Sequence, residues 1–466
     1  MPKRERIRDP VHDLIEFGSD DFEKECWQLV QTAPFQRLRR IKQLGFSELV
    51  YPGATHSRLA HSLGVFHTAR QLTLVVKAYL GEEKFDRVQA NAAVAAALVH
   101  DIGHGPFSHA FEHALELVDI AGSHEDWTVR IIKETEVRNT LEKVRPGFAD
   151  SVAKIIGSDS PADVYCSIVS SQFDADRLDY MRRDRLMTGT QQGAIDFRWL
   201  LANLQVGRVK VGQDGKFLKE AETFVVAPKS VMAAEVYVLG LFQLYPTVYL
   251  HKTTRGAECI FSALLAVVFR KILDGNAAAT GLPNEHALVR FARNPSNLDS
   301  YLALDDAVIT GSLPLLKASP IHAISDLAAR LLERKLYKCV DVTQGLAVWS
   351  RRKFPDAKDA KRRNDEARAA EAKIRALVAE SKILEFSEEA PVVFEDIAER
   401  DPYKRVVRDD GALNRIWAVG DDGEMHDLGQ LSPVVSSLIP FHAYRLYYGD
   451  DSGKKIIEGL VQEVLQ

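Results

Sequence analysis

The sequence predicts a mainly α protein: a helical core carrying one small β-hairpin, followed by a smaller C-terminal α+β lobe. Three observations predict it. Apolar residues recur at helical spacing through most of the first 336 residues. Within that stretch, strand-like runs over 206–211 and 222–227 flank a Gln213-Asp214-Gly215 turn. Near residue 336 the texture changes to short strand-like runs around one highly charged stretch.

Each element follows from its residues. Residues 20–32 open on Asp20 and put Phe22, Cys26, Leu29 and Val30 on one helical face. Pro34 opens a second helix, with Phe35, Leu38, Ile41 and Leu44 at helical spacing. The pattern continues over 57–80, 89–101, 109–118, 124–133 and 162–172. After the hairpin, helical stretches 231–245 and 248–273 are broken near Pro246. Residues 298–308 and 325–336 are helical again. Beyond them, 337–348 has strand character, and 351–380 reads as a charged helix with a solvated face. Short strands are expected at 391–394, 403–407 and 444–448, and an amphipathic helix at 456–465. Three segments result: an N-terminal segment over 1–20, a helical core over 21–335 and the α+β lobe over 336–466.

At 46% hydrophobic and 27% charged, the 466-residue chain has an ordinary globular composition. Its net charge of -5 gives no global reason to bind nucleic acid or membrane, so any basic site is local. Cys26, Cys166, Cys259 and Cys339 form no CxxC pair, which argues against a zinc knuckle and for a reducing compartment. The start MPKRERIRDP lacks the apolar stretch of a signal peptide. The longest apolar run, 259–269, is shorter than the roughly 20 residues a bilayer span needs. The expectation is a cytoplasmic protein without membrane association.

The chemistry concentrates in the run Ala97-Leu98-Val99-His100-Asp101-Ile102-Gly103-His104-Gly105-Pro106-Phe107-Ser108-His109. An adjacent His-Asp pair closes a very apolar stretch, and buried ionisable groups are rare unless paired or bound to metal. Eight of the 14 histidines fall between His56 and His124. On a helix, His100 and His104 would share a face. Upstream, Arg58 and His61 stand three apart. Downstream, Asp176, Tyr180 and Asp184 recur every four residues, with Arg177 adjoining Asp184. His100 and Asp101 offer one nitrogen and one oxygen, so a divalent ion would need further ligands from elsewhere.

This H…HD…D order resembles the HD-domain metal phosphohydrolases. The block FQRLRRIKQLG at 35–45, the turn YPGATH at 51–56, HDIGHGPFSH and FDADRLDYMRRD are similar to the deoxynucleoside triphosphate triphosphohydrolase branch. The match is best to the enzyme with a SAM domain fused to its HD domain and to its bacterial relatives. With no room for a SAM domain before residue 9, the chain is similar to the free-standing bacterial form, from about Asp9 to Val340. The resemblance implies an HD-domain helical core, a homo-oligomer (dimer or tetramer), and one divalent metal ion on His61, His100, Asp101 and Asp176. Manganese, magnesium, iron and zinc all suit that donor set.

The resemblance further implies attack at the alpha phosphorus of a dNTP, releasing deoxynucleoside and triphosphate. His109 would be the proton donor, networked with His104, Glu112 and His124, although each of the three histidines also fits a structural role. Arg58 and Arg177 would grip the phosphates. Tyr180 would lie against the sugar and Asp184 would accept its 3′ hydroxyl. Gln43 and Leu44 would close the sugar pocket, Leu44 leaving little room for a 2′ hydroxyl. Tyr249, His251 and Lys252 are similar to the family's base and phosphate contacts.

The chain also departs from the family pattern. Glu112 and Arg177 stand where Asp and Lys are usual. Leu250 stands where the deoxynucleotide enzyme has Gln, and 239–245 offers no basic residue for the triphosphate. Gln31-Thr32-Ala33 replaces an Asp that reads guanine, so guanine-nucleotide activation does not carry over. Two other readings stay open. One is a dinucleoside polyphosphate hydrolase, or another nucleotide phosphodiesterase, on the same site. The other is a nucleotide sensor or weak single-stranded nucleic-acid binder using Arg37, Arg39, Arg40 and Lys42.

Overall fold

The computed structural model describes residues 4–158, 161–213, 216–381, 393–401, 403 and 415–465. Helices dominate, as the periodicity predicts. The chain forms two compact units that alternate along the sequence. The first takes residues 1–108, 122–245 and 402–439; the second takes 109–121, 246–401 and 440–466.

The chain begins with a hairpin, β1 (Glu5–Asp9) and β2 (Asp13–Phe17). Its turn is built by Asp9, whose Oδ1 accepts from the Val11 and His12 amides at 2.9 and 3.0 Å. Phe17 is 1% exposed, and its ring stacks on Phe66 with centroids 4.8 Å apart. Helix α1 (Asp21–Gln31) starts on the Asp20 cap, as expected. Helix α2 (Ala33–Arg37) is shorter than its spacing suggests. After one 3-10 turn at Leu38–Arg40 the backbone becomes extended at Ile41. There the Ile41 carbonyl accepts from Arg58 N and Gln43 N donates to the His56 carbonyl, each at 2.9 Å. Those bonds outweigh the helical spacing of Ile41 and Leu44.

Helices α3 (Arg58–Lys84) and α4 (Arg87–Val99) follow, capped by Ser57 and Asp86. Next come α5 (His109–Glu116) and α6 (His124–Glu134), the latter opened by a Ser123/Asp126 capping box. Then come α7 (Glu136–Glu142), α8 (Phe148–Ile156) and α9 (Ala175–Thr188). The helix expected over 162–172 is only a 3-10 turn, Cys166–Ile168. Asp163 and Asp174 side chains take the Cys166 and Ser171 amides at 2.8 and 3.1 Å, competing with a helix.

The central hairpin forms between Leu204–Gln213 and Lys216–Val226, longer than expected. Asp214 and Gly215 of its turn lie outside the described residues. Two strands that the sequence pattern did not show, Trp417–Val419 and Met425–Asp427, extend it into a four-stranded sheet. Of the 403–407 strand candidate, 404–407 lie outside the described residues.

The break at Pro246 appears as a π-helical turn, Tyr245–Tyr249, between helices Val231–Leu244 and Lys252–Leu273. Pro228–Tyr249 is long and apolar enough to cross a membrane by length and composition, with mean hydropathy 1.3. The sequence expectation, based on the longest unbroken apolar run, had passed over it. Within this stretch Tyr237 and Leu244 are fully buried while Met232 and Val236 are exposed, and Tyr237 donates to the Gln172 carbonyl at 2.7 Å.

In the second unit, Lys252–Leu273 is the central helix, and Ser262 Oγ donates to the Ala110 carbonyl of α5 at 2.8 Å. The helix expected over 298–308 splits into Leu298–Leu302 and Asp306–Lys317, because Asp305 caps the second by accepting from Val308 N at 2.9 Å. The last predicted helix of this region is His322–Leu332. The strand expected over 337–348 ends at Asp341, whose side chain accepts from Gln344 N at 2.8 Å and starts helix Val342–Lys353. Strands Lys338–Asp341 and Val393–Arg400 flank Phe441–Tyr448 antiparallel. Of the 391–394 candidate, 391–392 lie outside the described residues. The charged helix Ala360–Glu380 buries Ala370, Ile374 and Val378 against Tyr444, Leu446 and Ile457, so only part of its surface is solvated. The chain closes with helix Asp451–Leu465.

Phe17→Ala removes the ring that anchors the first hairpin and is expected to cost about 3–5 kcal/mol in denaturant unfolding. An unchanged midpoint would refute the packing described.

Candidate metal centre

Three pieces of the first unit converge: the start of α3, the turn after α4 and the start of α9. His61 is fully buried. Its Nε2 lies 2.9 Å from Asp176 Oδ1 and 3.8 Å from Asp101 Oδ2. His100 Nε2 lies 3.2 Å from Asp101 Oδ1 and 3.7 Å from Asp176 Oδ1. The donor atoms of His61, His100 and Asp101 all fall within 4.8 Å of one another, a group that could hold a metal ion. Neither His61 Nε2 nor His100 Nε2, both buried, makes a properly directed hydrogen bond. Donors that converge without bonding one another suit a cation: with bonds of about 2.1 Å, its neighbouring ligand atoms lie roughly 3–3.5 Å apart.

His100 and His104 do not share a helical face. Helix α4 ends at Val99 and the chain turns, with Ile102 N donating to the Val99 carbonyl and His104 N to the Asp101 carbonyl, each at 3.1 Å. Gly103 is the reason. A Cβ there would lie 2.2 Å from the His124 carbonyl oxygen and 2.3 Å from Thr128 N. The turn is thereby pressed onto the start of α6. Gly103 N donates to Thr128 Oγ1 at 3.0 Å, and that hydroxyl donates to the His100 carbonyl at 3.1 Å. His104 stacks on His124 with centroids 3.9 Å apart, and its Nε2 lies 3.2 Å from Asp101 Oδ1.

The electrostatics follow from burial. Burial would lower the pKa of His61, but Asp176 and Asp179 raise it to about 10 in the metal-free protein. Burial would raise that of Asp101, yet Arg58, His100 and His104 hold it well below the usual carboxylate range. Burial and the Arg58 charge push the pKa of His104 well below the ordinary imidazole value. Arg58 is itself buried, bonded to Asp101 and donating to Ser108 Oγ from Nε at 3.0 Å and Nη2 at 2.8 Å. Phe107 and Ser108 adopt φ of 53° and 57°, in the left-handed region that non-glycine residues enter uncommonly.

The other expected residues are placed as follows. Arg177 turns inward, bonded to Asp174 and to the Ser171 carbonyl. Tyr180 is half-buried. Asp184 is buried with His56 Nε2 at 2.8 Å from its Oδ1. Gln43 and Leu44, both partly buried, sit in the turn just before the 3-10 turn Gly45–Leu49. His109, Glu112, Tyr249, His251 and Lys252 belong to the second unit. There His109 Nδ1 lies 3.0 Å from Glu112 Oε2, and His251 caps helix Lys252–Leu273 by accepting from Thr253 N at 3.2 Å. The basic cluster is not one surface: Arg37 is 2% exposed, and Lys42 pairs with Glu48 at 2.5 Å.

Sequence reasoning missed the residues beneath the candidate ligands. Asp179, one turn after Asp176, accepts from His61 Nδ1 at 2.8 Å. Arg183 donates to Asp179 from Nε at 2.8 Å. Gly64 lets α3 and α9 approach: a Cβ there would lie 2.0 Å from Asp179 Oδ1. The available signal was the second Asp in Asp176-Arg177-Leu178-Asp179, at helical spacing from the first.

The HD domain family matches residues 58–181, the span that holds all four expected ligands. The protein YwfO of Bacillus subtilis is 36% identical over 340 residues, covering 72% of this chain and 71% of that protein. The chain belongs to the HD-domain family. Among its HD-domain relatives, the deoxynucleoside triphosphate triphosphohydrolase SAMHD1 homolog of Dictyostelium discoideum is 31% identical over 283 residues, covering 57% of this chain and 50% of that protein. The crystal structure of a phosphohydrolase from Bacteroides thetaiotaomicron is similar with a TM-score of 0.70 and 25% identity, over 96% of this chain and 100% of that one. A hypothetical protein from Aquifex aeolicus shares the fold with a TM-score of 0.66 at 24% identity, over 99% and 100% of the two chains.

Gly64→Ala is expected to lower unfolding stability by about 1–3 kcal/mol or more through overpacking against Asp179; a thermal melt checks it, and an unchanged melting point would count against the close approach. Metal binding should also depend on pH. In the metal-free protein the folded pKa of His61 is raised to about 10 from 6.5. Its contribution to stability is therefore full below the unfolded value and is lost as pH rises through the folded one. A cation competes with that proton, so affinity for Mn2+ should rise between pH 6.5 and 10 while the metal-free melting point falls. Calorimetric titration across that range tests it; a pH-independent affinity contradicts it.

Proposed function

We propose that this protein is a metal-dependent nucleotide phosphohydrolase that cleaves a dNTP into deoxynucleoside and inorganic triphosphate. The convergence of His61, His100, Asp101 and Asp176 carries the reading, with His61 Nε2 at 2.9 Å from Asp176 Oδ1. These four residues would hold one divalent ion, with manganese, magnesium, iron and zinc all suited to the donors. When bound, the ion would polarise a phosphoryl oxygen and make the attacking water more acidic. Arg58, fixed on Asp101 and Ser108, contributes positive charge at the same place, which favours a phosphate. Tyr180 and Asp184 are carried by the same helix as Asp176 and suit sugar contacts, with His56 orienting Asp184.

In the balanced reaction, water adds to the alpha phosphorus, the bond to the 5′ oxygen breaks, and that oxygen takes a proton. His104, buried and stacked on His124 with its Nε2 3.2 Å from Asp101 Oδ1, suits positioning. His109, its ring oriented by Glu112 at 3.0 Å, is the proposed donor. A homo-oligomer, and contacts from Arg177, Gln43, Leu44, Tyr249, His251 and Lys252, form part of the same proposal. Dinucleoside polyphosphate hydrolysis is the second reading, favoured by Leu250 and by the absence of a basic residue over 239–245.

Purified protein with Mn2+ should convert dNTPs to nucleoside and intact triphosphate, as resolved by chromatography. Nucleoside mono- or diphosphates from dinucleoside polyphosphates would favour the second reading. No turnover with any divalent ion, together with retained single-stranded nucleic-acid binding, would defeat both. Asp101→Ala should lower kcat at least about 1,000-fold, and His109→Ala about 100-fold or more, the scale of general-acid catalysis. Full activity in a folded Asp101→Ala protein would refute the site.

A further inference from the structure

The first hairpin reaches the candidate metal centre through Asp179. That residue is fully buried, and its carboxylate accepts four hydrogen bonds. Oδ1 accepts from His12 Nε2 at 2.6 Å and from Arg183 Nη2 at 3.0 Å. Oδ2 accepts from His61 Nδ1 and Arg183 Nε, each at 2.8 Å. A carboxylate offers about four lone-pair directions, so this one is saturated. Facing an acceptor-only group, His61 Nδ1 carries its proton, and Nε2 is the nitrogen left for a cation.

Arg183 is held from its other side. Its Nη1 and Nη2 donate to Asp9 at 2.8 and 3.2 Å. Asp9 in turn builds the turn that carries His12, and Arg182 Nη2 ties the same turn to α9 through the Val11 carbonyl at 2.9 Å. The side chains of His12, Asp9, Asp179 and Arg183 are at most 5% exposed, so water does not replace a lost partner. With the Asp179 carboxylate accepting from its Nδ1, His61 is the stronger donor to a cation at Nε2.

We propose that the turn between β1 and β2 is part of the metal centre, with His12 and Asp9 as positioning residues that fix Asp179 and, through it, the orientation and tautomer of His61. The proposal rests on the metal-centre reading and adds to it a segment that touches no ligand directly. A packing role alone would make His12 replaceable by any residue of similar volume; a positioning role requires a donor at Nε2.

The test is Mn2+ affinity by calorimetric titration on the full chain, with the visible spectrum of the Co2+-loaded protein as a second readout. His12→Phe keeps the volume and removes the donor. It is expected to stay folded by circular dichroism, to bind Mn2+ 10–100-fold more weakly, the usual scale for such outer partners, and to shift the Co2+ bands. His12→Gln, which restores a donor, is expected to recover most of the affinity. Wild-type affinity in His12→Phe, or a Gln variant no better than Phe, would overturn the proposal while leaving the metal centre standing. No Mn2+ binding by the wild-type protein would instead overturn the metal-centre reading itself. Should His12→Phe fail to fold, Asp9→Asn gives the decision: weaker Mn2+ binding supports the proposal, and wild-type affinity overturns it.

Discussion

Beneath His61 lies the contact on which the first unit turns, the 2.8 Å hydrogen bond from its Nδ1 to Asp179. It exists because α3 and α9 come close enough at Gly64 for a buried carboxylate to reach a buried imidazole. A carboxylate removed from water is tolerable only when paired and fully hydrogen-bonded. Arg183 and His12 meet that condition, and both are in turn fixed by the first hairpin. Packing, charge and site geometry are thus one problem here. Loosening any of Gly64, Arg183 or Asp9 would leave a charge stranded in the core of the unit.

The second ligand pair depends on a different device. The apolar helix α4 must stop at Val99 for His100 and Asp101 to turn toward α3 and α9. Gly103 permits the turn by admitting the backbone of α6 at distances no side chain would allow. Asp101 then faces Arg58, His100 and His104, which keep it ionised although buried. An ionised Asp101 beside an Arg58 already bonded to it leaves this pair balanced in charge.

The helical class of the fold and the HD-domain family were legible in the sequence, because periodicity and the H…HD…D order are local or ordered signals. The break at Pro246 was legible for the same reason. What was not legible depended on partners far along the chain. The start of the sequence showed no pattern strong enough for a hairpin, since its anchors, Phe66 and Arg183, lie far away. The helical spacing of Phe35, Leu38, Ile41 and Leu44 misled because backbone bonds to His56 and Arg58 compete with the helix. His100 and His104 looked like neighbours on a helix face because nothing near them announces the close approach of α6. Asp179 was passed over because its role appears only once α3 lies against α9.

Joint binding of one divalent ion by His61, His100, Asp101 and Asp176 is the proposal on which the proposed chemistry rests. Anomalous diffraction from crystals grown with Mn2+ measures this most directly. A single strong peak is expected within bonding distance of His61 Nε2, His100 Nε2 and the carboxylates of Asp101 and Asp176. A peak elsewhere, or none at saturating Mn2+ with all four side chains ordered, would contradict it.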